Sequence, residues 1–158
     1  MKSKRMKIIA VVLIGLIGLA YTFAKIERVS PLSWAHNEIN QPMFSNEAIN
    51  GYDPVAYFTK QMAVIGDEKH TYSWRDAAWY FSSEENKNLF INNPEKFAPQ
   101  FGGFCAFAVS KGFTANSSAN SFEIIDHKLY LFNGEDVKTE WKANFAENLA
   151  KCEANWDK

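Results

Sequence analysis

The hydrophobic pattern opens with an uncharged run of 17 residues, Ile8 to Ala24, that shows no polar face at helical spacing. Residues 25–49 sustain no period. Pro31, Pro42 and repeated Asn mark them as a linker or irregular arm. Compact patterning starts at Asn50-Gly51 and continues to residue 158. Val55-Ala56-Tyr57-Phe58 reads as a short β-type run after the turn residues Asp53-Pro54. Thr71 to Trp74 and Ala78 to Phe81 alternate around Arg75-Asp76, which predicts a hairpin. Ser82-Ser83-Glu84-Glu85 reads as a capping box with Ser82 as the cap. The helix it opens carries Leu89 and Phe90 inward and stops at Asn92-Asn93-Pro94; Asn93 then caps one more turn, Pro94 to Phe97.

Phe101 to Val109 reads as a buried strand or loop entry. A second hairpin is predicted from Phe122 to Ile125, a turn at Asp126-His127, and Lys128 to Phe132. Asn133-Gly134 opens a final helix on which Val137, Trp141, Phe145, Leu149, Cys152 and Trp156 share one face. The expected fold is therefore α+β: an antiparallel sheet from two β-hairpins plus extra strands, packed by two to three helices. The two hairpin-plus-helix units echo each other. Trp79-x-Phe81-Ser82-x-Glu84-Glu85 reappears as Tyr130-x-Phe132-Asn133-x-Glu135-Asp136, with Phe90 matching Trp141 at a spacing of 51. The turns need a one-residue shift to agree, so both duplication and convergent ββα grammar fit.

Charge changes the picture of the N-terminus. Lys2, Lys4, Arg5 and Lys7 place a basic n-region at residues 1–7, ahead of the apolar run at 8–24. That order predicts export, with the run acting as a transmembrane anchor or as a signal peptide cut after Thr22-Phe23-Ala24. The domain would then lie in the periplasm or cell exterior, tethered if the run is kept and soluble if it is cleaved. Removing those four basic residues leaves 13 basic against 18 acidic side chains, a net of -5. An acidic body argues against a nucleic-acid partner. Two cysteines exclude a disulfide-rich scaffold, although export permits a bond between Cys105 and Cys152.

At Gly51-Tyr52-Asp53-Pro54-Val55-Ala56-Tyr57-Phe58 the chain resembles the YHS domain family. The resemblance continues through Trp79 to Asn86, Asn93-Pro94-Glu95-Lys96-Phe97, Gly102 to Ser110, Asp126 to Leu131 and Ala154-Asn155-Trp156. It covers Asn46 to the C-terminus and looks most like the exported, single-domain branch of that family. YHS modules attached to metal-transporting ATPases and some oxygenases bind metal through cysteines. Carried over by the resemblance, those positions are Ala56, Ser82 and Asn86, none of which supplies a thiolate.

The remaining candidates for a metal site, holding a copper or zinc ion, are Cys105, His70 and Asp53, with a Met such as Met62 beside them. Cys105 and Asp53 each have a structural counter-reading. Cys105 and Cys152 suit buried core thiols, Asp53 before Pro54 suits a turn that accepts backbone N–H groups, and His36 and His127 lie in an arm and a turn. Serine-hydrolase, zinc-protease, phosphate-loop and dinucleotide motifs are absent from the sequence. The expected function is a non-catalytic exported YHS-type binding module, held at the membrane by its N-terminal helix. Its ligand would be a metal ion, a small molecule or a membrane partner protein. A thiol- or metal-dependent enzyme using Cys105 and a structural accessory subunit of a membrane protein assembly are the alternatives.

Overall fold

The computed structural model describes residues 2–26, 29–32 and 36–156. The side chains of the basic n-region at Lys2, Lys4, Arg5 and Lys7 lie outside the described set, as do residues 27–28 and 33–35 of the arm. The chain is α+β, but its strands form three separate two-stranded antiparallel sheets, not the single sheet expected.

The first helix, α1, runs Lys2–Ile26, and its apolar side chains are exposed along the whole run, from Leu13 at 53% to Leu19 at 70%. Among the described residues no helix is long and apolar enough to cross a membrane. The 17 uncharged residues reach about 25 Å, the lower end of what spans a hydrocarbon core of about 30 Å.

The arm lies on the domain. β1 (Ser30–Pro31) pairs with a later strand at Thr114 and Phe113, and Leu32, Ile39 and Asn40 are buried. The fully buried Asn40 side chain donates to the Gly103 carbonyl and to the Ser117 hydroxyl. Its backbone N–H donates to the Gly102 carbonyl at 2.8 Å. A Cβ at Gly102, where φ is +60°, would sit 1.9 Å from the Glu38 carbonyl oxygen. Glycine there allows the arm to lie against the domain. Gly102→Ala should therefore lose about 1–3 kcal/mol and expose the arm to protease. Urea midpoints with limited proteolysis check this, and an unchanged midpoint would show that the arm is not anchored at this point.

After the arm come α2 (Ala56–Thr59), β2 (Asp67–Trp74), β3 (Ala77–Phe81), α3 (Glu84–Asn92) and α4 (Pro94–Phe97). The second half holds α5 (Ala106–Ser110), β4 (Phe113–Thr114), β5 (Ser118–Ile125), β6 (Lys128–Phe132), α6 (Glu135–Ala143) and α7 (Phe145–Trp156). Both hairpins form at the expected turns, with φ positive at Arg75, Asp76, Asp126 and His127. Two consecutive positive φ values match the twist of a two-residue hairpin loop.

Several local expectations are corrected. Residues 55–58 are not a strand: the Asp53 carboxylate accepts the Val55 and Ala56 N–H groups and starts a helical turn instead. Phe101 to Val109 is likewise a 3₁₀ turn (Gln100–Gly103) followed by α5. The cap of α3 is Ser83, which accepts from Asn86 N–H, while Ser82 turns away to Asp53. Leu89 is 38% exposed, so Phe90 alone of that pair faces inward. The final helix breaks at Asn144 into α6 and α7. With the short α2, α4 and α5 the described residues hold six helices after α1, not the two or three expected there.

The echo between units is an alignment of whole elements. Asp67–Phe81, Thr71–Tyr80 and Trp74–Ala77 reappear 51 positions on as Ser118–Phe132, Phe122–Leu131 and Ile125–Lys128, with the same register irregularity between the first two pairs. α3 and α6 span matching residues at that spacing, and α4 and α7 start at it. Ahead of each unit a 3₁₀ turn, Ala48–Gly51 or Gln100–Gly103, carries three consecutive positive φ values: 45°, 57° and 75° in the first, 54°, 60° and 79° in the second. The hairpin turns coincide without the one-residue shift the sequence suggested.

Two cores result. The first gathers Tyr57, Trp79, Phe81, Phe90 and Phe97; the second gathers Phe104, Cys105, Tyr130, Phe132, Trp141 and Cys152. The second hairpin partitions them, sending Leu129 and Leu131 into the first core and Tyr130 and Phe132 into the second. A strand buried on both faces carries continuous apolar residues, as Leu129 to Phe132 do.

Candidate functional site

Asp53 and Cys105, both nominated from the sequence, occupy equivalent places in the two units. Asp53 is fully buried and follows the first 3₁₀ turn by two residues, as Cys105 follows the second. Asp53 Oδ1 accepts from the N–H groups of Val55 and Ala56. Its Oδ2 accepts from Ser82 N–H at 2.8 Å, the Ser82 hydroxyl at 2.7 Å and the Asn86 amide at 2.6 Å. In the second unit the Cys105 sulfur accepts the N–H of Asn133 at 3.3 Å, and Asn133 is the counterpart of Ser82. Each residue ties the entry of its unit to the start of the helix after the hairpin. Five donors on one buried carboxylate use its lone-pair sites for structure.

His70 also serves the structure. Its Nδ1 lies 3.1 Å from Glu84 Oε2, at the first turn of α3. The Glu84 carboxyl is held below its usual range by hydrogen bonds from His70 and Lys87, and that of Glu135 first of all by Lys138, 2.6 Å away.

Asp53 and His70 are therefore spent on the start of α3, and Cys105 on the entry to α6. Among the described residues no group of three or more His, Cys, Asp or Glu side chains could hold a metal ion. Met62 is exposed and His127 is exposed in its turn. Cys105 and Cys152 are both free thiols. Burial pushes the Cys152 thiol up to about 11, and its sulfur donates to the Ala106 carbonyl at 3.2 Å. His36 rests its ring against Trp156 at 5.3 Å.

The structure places a polar cleft elsewhere, where the arm, the first hairpin turn, α4, the second 3₁₀ turn and the end of α7 converge. It encloses about 240 Å³. The Arg75 guanidinium lies over the Trp74 ring at 4.5 Å, donates to Glu95 Oε1 at 2.7 Å and is ion-paired with Glu38. Glu153 and Trp156 form the α7 side, and Pro99 to Gly102 the floor. Two carboxylates and one indole thus hold the guanidinium, and a third carboxylate and a second indole line the same cleft. Arg75 is held at a φ of 51°, a position where hairpins of this loop length favour Asn.

Sequence reasoning missed this site because Glu38, Arg75, Glu95 and Glu153 share no motif and no period. One signal was present: an Arg-Asp pair in a two-residue hairpin loop, where Asn-Gly is the usual solution. Comparison with family models, with curated proteins and with solved structures finds no match for this chain.

Proposed function

We propose that the chain is an exported, non-catalytic YHS-type binding module, held at a membrane by α1, that takes a small organic cation in the Arg75 cleft. The cleft carries the proposal: its lining has a carboxylate excess, with indole rings beside it. Carboxylates and aromatic faces both attract a desolvating cation, and an amine reaching the cleft would compete with Arg75 for Glu38 and Glu95. The net of -5 outside the N-terminal run favours approach of the same class of ligand. A non-catalytic role is supported by the engagement of Asp53 and Cys105 in the folding of their own units.

The attachment rests on the surface of α1. Apolar side chains exposed all round a helix are stabilised by transfer out of water at about 25 cal/mol per Å². Local thinning of the bilayer accommodates a short apolar run. Cleavage after Ala24 is the competing outcome, and intact mass from the native host distinguishes a chain beginning near Met1 from one beginning at Lys25.

Trp74 and Trp156 report on the cleft directly. Titration with putrescine or choline should give a saturable change in intrinsic fluorescence that Glu38→Gln and Glu95→Gln weaken and added salt reduces. Saturation by inorganic phosphate, with no response to either amine, would overturn the cation assignment.

A further inference from the structure

The connection between α1 and the domain is too short to act as a spacer. α1 ends at Ile26, and Ser30 is already paired with Thr114. Four residue steps extend at most about 14 Å. The Val29 N–H also donates back to the Ala24 carbonyl at 2.8 Å, and Leu32 N–H donates to the Gly112 carbonyl at 3.0 Å. A domain fastened so close to the end of a membrane-embedded helix must rest near the lipid surface.

The face it turns toward that end carries an unusual residue. Phe44 is 96% exposed, the most exposed large hydrophobic side chain among the described residues, and Met43 beside it is 43% exposed. They form the tip of a turn closed by Ser45 N–H to the Pro42 carbonyl at 3.2 Å. Met43 and Pro42 line a hollow of about 480 Å³ together with Tyr21, Ala24 and Val29, so the turn stands beside the end of α1. A phenylalanine at a polar turn tip loses contact with water only if something covers it, and at this place the nearest apolar phase is the one that holds α1. Tyr21 in the last turns of the helix has the amphipathic character that suits the head-group boundary.

We infer that the Met43–Phe44 turn dips into the bilayer surface and fixes the domain's orientation there as a second, interfacial contact beside α1. This inference rests on the reading of α1 as a membrane attachment. The occupant is lipid, because the turn adjoins the helix end and the connection leaves the domain no room to swing away.

The full chain carrying Phe44→Cys tests it. Cys105 and Cys152 are 2% and 0% exposed, so an environment-sensitive thiol dye labels position 44, with the unsubstituted chain as blank. The labelled protein is reconstituted into vesicles of phosphatidylcholine and phosphatidylglycerol, with and without doxyl-labelled phosphatidylcholine. The expected result is co-flotation with the vesicles, blue-shifted dye emission and quenching by the doxyl lipid. Co-flotation with unshifted and unquenched emission would overturn the inference and leave the α1 attachment standing. A chain that fails to float with the vesicles would overturn both.

Discussion

Asp53→Ala will lower the stability of the domain by roughly 3 kcal/mol or more, the largest effect expected of any single polar substitution here. The carboxylate accepts five hydrogen bonds from four residues, and its own exposure is 0%. Deleting it strands the Ser82 N–H and leaves the buried Asn86 amide only the Ser82 hydroxyl oxygen at 3.3 Å, and a stranded group costs about 1–3 kcal/mol. Asp53→Asn keeps one oxygen but presents an amide to donors, so it should recover only part of the loss. Urea midpoints at constant slope measure both. A loss below about 1 kcal/mol for the alanine variant would mean that water replaces the carboxylate at little cost. Ligand response per folded molecule should stay unchanged, which separates this residue from the Arg75 cleft.

Phe90→Ala and Trp141→Ala should each cost about 3–5 kcal/mol, as deletions of a fully buried ring do. Phe90 packs against Tyr72, Trp74, Trp79 and Phe81, with ring centroids 5.0 to 6.4 Å away. Trp141 meets Tyr130, Phe132 and Phe145 at 5.1 to 5.3 Å. Both side chains are at 0% exposure and each is the anchor of the helix after its hairpin. Because the second hairpin lines both cores, each variant should still unfold in a single transition seen alike by fluorescence and by far-ultraviolet circular dichroism. Two separated transitions would show that the units melt independently and that the partition does not couple them.

The hairpins and their turns were legible in the sequence because period-two alternation around a two-residue loop leaves little choice of register. α4 was legible for an equally local reason, since Asn93 ahead of Pro94 caps a turn by itself, and its side chain accepts from Lys96 N–H. Residues 55–58 were not legible. Their β propensity is overridden by a carboxylate two positions upstream, whose second oxygen is fixed by Ser82 and Asn86 about 30 positions away. The separation of the hairpins into different sheets was also hidden, since it follows from Leu129 and Tyr130 pointing into different cores. The capping box was misplaced by one residue for a related reason: Ser82 and Ser83 are interchangeable locally, and only Asp53 decides which hydroxyl serves the helix. The cleft was the least readable feature. Its charged residues are brought together by the arm's approach to Gly102, and no local pattern announces such an approach.

The two units of matching hairpin register, joined where Phe97 ends α4 and Pro99 precedes the next 3₁₀ turn, have a consequence in mass action. Two like units on separate chains would associate only above their dissociation constant, and their stability would rise and fall with abundance. Linked through Ala98, each meets the other at an effective concentration in the millimolar range, whatever the number of molecules present. The contact between Tyr57 and Phe122, with centroids 4.8 Å apart, is then a first-order event within one molecule. Dilution leaves the pairing intact, so the fold is as complete in a single copy as in a crowded population.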